Sequence, residues 1–231
     1  MSGEDLATRL AGLKAKRGYL LPHHGLMAVT APKLLAAYDA AYTALALEDR
    51  ILSHHDREFV WLGILIATKE EIATHHIEKF VKAGGTDEEL RACLRLAAAV
   101  CGFRAYGFIE DHWRAHLPGI DPEIEWADAV RRAGEGAETR LVHMTACAMQ
   151  VANGAWDGFR WQLRQAYAVR IDERELAEAV SLTMFPASVP FFVTAAQVWM
   201  EMIRAGDLDA SPPFRDWAML SGQGGHGRKD D

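Results

Sequence analysis

The neighbouring histidines His75 and His76, in the run EEIATHHIEKFVKAGG (residues 70–85), are the side chains best placed by type to move protons near neutral pH. Adjacent helical residues point about 100° apart, so the two cannot share one environment. On a helix from about residue 69 to 83, the residues one turn from His76 are Ile72, Ala73, Lys79 and Phe80. Those one turn from His75 are Glu71, Ile72, Glu78 and Lys79. His76 is therefore expected to face inward, and His75 to sit on the surface beside Glu71. An inward imidazole can serve as a general acid or base. It can equally be a hydrogen-bonded core residue with no chemistry.

A second group follows in RAYGFIEDHWRAHL, residues 104–117. Ala105, Ile109, His112 and His116 recur at helical spacing, with Tyr106, Glu110, Trp113 and Leu117 on the adjoining stripe. Both stripes are expected to face the core, which would bring His112 and Glu110 towards His76 as partners in acid–base catalysis. Arg104 is expected to anchor an anionic substrate, with a surface salt bridge as its alternative. Phe80 and Tyr106 are expected to border that substrate. The pair His112-x-x-x-His116 is also a metal-ligand spacing, with His76 or Glu110 as a third donor. The paired Glu-x-x-His signature of di-iron bundles is missing, so no cofactor is expected and metal stays the alternative.

The elements that must position these residues read as helices throughout. Ser53 opens HHDREFVWLGILIAT, and Thr68-x-x-Glu71 reads as a capping box for the double-histidine helix, which Gly84-Gly85 ends. Thr86-x-x-Glu89 is a second capping box, and Asp121-Pro122 starts a connecting helix that Gly134 closes. The tail SGQGGHGRKDD (221–231) is expected to be disordered. The 231 residues carry a net charge of −7 with scattered basic residues, which argues against a nucleic-acid partner. No apolar stretch is expected to span a membrane, and the charged N-terminus does not resemble a signal peptide. Three cysteines without a C-x-x-C pair suit a reducing, cytoplasmic setting.

The chain also echoes itself. Leu90 and Leu176, and Trp113 and Trp199, stand 86 residues apart, and the helices come in the same order. At that offset His76 meets Gln162, His75 meets Trp161, His112 meets Val198 and His116 meets Met202. The expected plan is an N-terminal extension (1–31), a first repeat (32–118), a linker helix (119–136), a degenerate second repeat (137–206) and a tail (207–231), all in one compact all-α unit. Any reaction centre belongs to the first repeat.

HIEKFVKAGGTDEEL followed by LAAAVCGFRAYGFIEDHW resembles the carboxymuconolactone decarboxylase and AhpD-like family, over about residues 32–117 and more faintly over 138–204. The resemblance rests on the spacing from His76 to Gly84, the helix start after it, and Arg57-Glu58 in the preceding helix. It implies an all-α fold of tandem AhpD-like repeats. The peroxidase branch uses Glu-x-x-Cys-x-x-Cys-x-x-x-His; here Lys69 and Ile72 hold the cysteine positions, which excludes that dithiol cycle. The decarboxylase branch keeps the histidine alone, often with a Glu four residues before it, where this chain has Ile72. The resemblance implies a cofactor-independent lyase or isomerase acting on a small carboxylated lactone or related intermediate of aromatic catabolism, with His76 as acid–base residue. It also implies a homo-oligomer, a trimer of two-repeat chains. A non-catalytic ligand-binding scaffold of the same fold and a histidine-ligated metalloenzyme are the alternatives.

Overall fold

The computed structural model describes residues 3–223; residues 224–231, most of the tail expected to be disordered, lie outside them. All regular elements among the described residues are helical. They divide into two compact units, residues 1–48 and 49–231.

The first unit holds α1 (Gly3–Arg17), α2 (Pro22–Thr30) and α3 (Pro32–Tyr42), the last extended by a π-helical turn at Thr43–Leu47. Proline at the start of α2 and of α3 fits the first helical turn, where its missing N–H has no partner to lose. Leu13, Ala28 and Leu35 form the core of this unit. That shared core holds α3 to α1 and α2. Buried Arg17 adds an ion pair to Asp39 at 2.7 Å and lies 4.3 Å from the Tyr42 ring centre.

The second unit is built on α4 (His54–Thr68) and α9 (Thr139–Ala152), which pack against each other. α9, and α4 from Phe59 on, are apolar on nearly every side, and these stretches are largely buried, as such helices must be. Gly63 permits the close approach: a Cβ there would lie 2.4 Å from the Thr145 methyl. α5 (His75–Lys82) and α6 (Asp87–Cys101) pack on α4, and α10 (Trp156–Ala168) and α11 (Glu173–Ser181) pack on α9. Between these sets run α7 (Arg104–Phe108) and α8 (Pro122–Ala133), and α12 (Val189–Ala205) and α13 (Pro212–Ala218) complete the unit. The short α13 is an element that the sequence reading leaves out.

Several helix ends follow the sequence directly. Ser53 Oγ accepts from the Asp56 amide at 3.1 Å, and Thr86 and Glu89 form the reciprocal capping box of α6. Asp121 accepts from the Glu123 and Ile124 amides at the start of α8. The Thr68 box is different. Thr68 is the last residue of α4, its hydroxyl donates back to the Ile64 carbonyl at 3.0 Å, and Lys69 turns the chain with a left-handed φ of 58°. The apolar run of α4 continues to Ala67, so Thr68 belongs to its final turn, and α5 begins only at His75.

The segment 104–116 departs furthest from expectation. It is a short α7, a π-helical turn at Ile109–Trp113 and a 3₁₀ turn at Arg114–His116, with no buried residue in any of the three. The helical run Asp87–His116 is also long and apolar enough to cross a membrane by length and composition, which corrects the expectation that no stretch is. Within α6 the apolar side chains Ala92, Cys93, Leu96, Ala97 and Val100 are buried inside the unit itself.

Candidate active site

The centre of the site is a hydrogen bond between α4 and α5. His76 Nδ1 and Glu58 Oε2 lie 2.6 Å apart, and both side chains are almost wholly buried. α4 presents Glu58 in its second turn, where the polar start of the helix gives way to the apolar run from Phe59 on. α5 presents His76 in its first turn. Its far end is held by Phe80, which is fully buried against Phe59 and His55. The glycines that follow are required there: Gly84 has φ +94°, and a Cβ on Gly85 would lie 2.3 Å from the Phe80 ring.

A carboxylate has only lone pairs to offer, so Glu58 fixes the His76 tautomer with hydrogen on Nδ1. Nε2 is then the nitrogen that can take up or give a proton. Trp61 stacks on the His76 ring at 4.9 Å and 28°, and the His75 ring lies 4.4 Å away on the other side of the chain step. His75 is not the solvated partner of Glu71 that its spacing suggests. Burial, with smaller contributions from the charges of His76 and Lys79, lowers its pKa from 6.5 to about 3. It therefore stays neutral beside His76 at ordinary pH. A groove of about 420 Å³ opens next to the first turn of α5, walled by Leu62, Leu65, Ile66, Ala73 and Ile77, with Lys69, Glu70, Glu71 and Thr74 at its rim.

Residues 32–107 match the carboxymuconolactone decarboxylase family. This segment belongs to that family. It runs from α3 through α7 and contains both Glu58 and His76. No curated protein and no solved structure gives a match.

Within the family segment the structure brings Glu58, Trp61 and His75 to His76, and it does not bring the other expected partners. Glu110 is exposed and reaches Arg114 at 3.7 Å, while His112 is exposed with its ring against Phe108 at 4.9 Å. The inward stripe of Ala105, Ile109, His112 and His116 fails there because the segment 104–116 does not hold one continuous α-helical register. Arg104 is exposed at the start of α7. Tyr106 is half-buried, packed edge-on to Trp126 at 5.6 Å in the core shared by α6, α8 and α9. Phe80 is likewise a packing residue rather than a pocket wall. His116 is exposed, and among the described residues no three His, Cys, Asp or Glu side chains gather as a metal would need, so the set His76, His112 and His116 does not form.

Glu58 is the residue that sequence reasoning passes over. Its signal was a charged Arg57-Glu58 pair directly before the apolar run that begins at Phe59, and both side chains prove buried. A buried carboxylate needs a partner, and eighteen residues on His76 supplies it.

Proposed function

We propose that this protein is a cofactor-independent lyase in which His76, oriented by Glu58, performs general acid–base catalysis on a small carboxylated lactone or a related aromatic-catabolism intermediate. The observation that carries this reading is the buried 2.6 Å hydrogen bond between His76 Nδ1 and Glu58 Oε2 inside the family segment. Loss of carbon dioxide breaks a carbon–carbon bond and leaves its electron pair on the substrate as a dienolate. Protonated Nε2 of His76 gives its proton to that carbanion equivalent and is reprotonated from solvent. Glu58 holds the ring in place and stabilises the imidazolium. Self-association belongs to the same reading, supported by Leu94, Phe108 and Trp113, apolar side chains at least 46% exposed.

The test is turnover of 4-carboxymuconolactone and related carboxylated lactones by wild type, His76→Gln and Glu58→Gln. His76→Gln should lower kcat by about 10²–10⁴-fold with the fold intact by circular dichroism. Glu58→Gln should lower it less and shift the pH profile of kcat. Equal turnover by wild type and His76→Gln would remove the reading in favour of a binding scaffold.

A further inference from the structure

Between residues 49 and 205 five residues have a left-handed backbone: Lys69, Gly84, Gly136, Gly154 and Arg170. Lys69 and Gly154 stand 85 residues apart, and Gly84 and Arg170 stand 86 apart. Only Gly136, in the connection between α8 and α9, has no counterpart. In each pair a glycine faces a non-glycine, so the backbone bend is shared where the residue type is not.

Side-chain interactions repeat at the same distances. His55 Nε2 reaches Glu89 Oε1 at 3.1 Å in the first half, and Arg140 Nη1 reaches Glu175 Oε1 at 3.0 Å in the second. Thr86 caps α6 with its side chain, and Asp172 caps α11. Glu58 and His76 meet at 2.6 Å between α4 and α5, and His143 and Gln162 meet at 2.7 Å between α9 and α10. His143 is 85 residues after Glu58, and Gln162 is 86 after His76. One residue is inserted in the turn between the first two helices of the second half, and every later correspondence moves by it.

We infer that residues 53–113 and 138–199 are two copies of one helical unit, and that His143–Gln162 is a second centre in which the acid–base pair has been exchanged for a neutral one. The Gln162 amide donates from Nε2 to His143 Nδ1, and Gln162 Oε1 has no hydrogen-bond partner in its fully buried position. The slot therefore fits a group with one donor facing α9, as an imidazole has, and leaves half of an amide unused. Burial lowers the pKa of His143 from 6.5 to about 4. At neutral pH the second centre is uncharged, so it holds α9 to α10 without being able to exchange protons.

The copies predict that the first centre's chemistry can be installed in the second. The test uses His143→Glu, Gln162→His and the double variant in the full-length protein. His143→Glu alone places a carboxyl in the core without an imidazole and should lower Tm by at least about 5 °C. Adding Gln162→His should restore most of that loss. By NMR, the imidazole introduced by Q162H should titrate above 6.5 in the double variant and below it in the single one. A double variant as destabilised as the two singles together, or an imidazole indifferent to H143E, would overturn the inference. Neither readout depends on turnover, so the duplication stands or falls apart from the proposed reaction.

Discussion

Two buried hydrogen bonds, 2.6 Å between Glu58 and His76 and 2.7 Å between His143 and Gln162, join equivalent-looking helix pairs in the two halves of the larger unit. Their lengths are nearly the same, and their chemistry is not. The first couples an acceptor-only carboxylate to an imidazole, so one ring nitrogen is committed and the other is left to exchange protons. The second couples an amide to an imidazole that burial keeps neutral. The difference teaches that packing fixes where a polar pair sits, whereas the charge of its members decides whether it can do anything but hold helices together.

The largest contrast is expected from removing one member of each pair. Glu58→Ala leaves His76 buried without its carboxylate, and Gln162→Ala leaves only a neutral imidazole. Denaturant unfolding should show a loss of about 3–5 kcal/mol for the first and about 1–3 kcal/mol for the second. Equal losses would mean that the Glu58–His76 pair is no more charged than its counterpart.

A smaller contrast concerns pH. His55 donates from both ring nitrogens, to Asp56 and to Glu89, each at 3.1 Å, and only the imidazolium can do so. Burial alone would lower its pKa, but the hydrogen bonds and charges of Asp56 and Glu89 outweigh that and raise it above 6.5. Asp56 is in turn paired with Arg140 at 2.7 Å, and the Phe80 ring is the apolar neighbour of His55. A raised pKa means that the folded state binds more protons than the unfolded chain. The stabilisation is therefore complete below 6.5 and lost as pH rises through the folded pKa. His143 has the opposite sign: with its pKa lowered to about 4, the unfolded chain binds more protons, and stability falls between pH 6.5 and 4. Melting curves across pH should show His55→Arg removing the alkaline loss, as Arg140 does in the second half, and His143→Gln softening the acid one. An alkaline limb unchanged in His55→Arg would assign it to other groups.

The smallest effect lies at the caps. Thr86→Ala and Asp172→Ala each remove a side-chain acceptor at matching helix starts, and each should cost about 1 kcal/mol by urea unfolding. A cost confined to one of them would mark the two helix starts as energetically unlike.

Much of the fold was legible because it rests on local chemistry. Ser53, Thr86 and Asp121 cap the helices their side chains announce. His76 was readable as inward from Ala73 and Phe80, which are both buried. Where the reading failed, a longer-range effect won. The Thr68 box lost to the continuing apolar run of α4, and that loss turned His75 from a surface residue into a half-buried one. The inward stripe of His112 and Glu110 presumed one unbroken helix, but the chain changes helical type at Ile109 and leaves both side chains exposed.

The sequence by itself determined the all-α class, most helix starts and the inward histidine, because caps and apolar periodicity act within one or two turns. Which partner His76 receives was decided only by tertiary structure. Glu58 lies on a different helix, and nothing local favours it over Glu71 or Glu110. Packing α5 onto α4 buries both groups, and a buried carboxylate and imidazole are stable there only together.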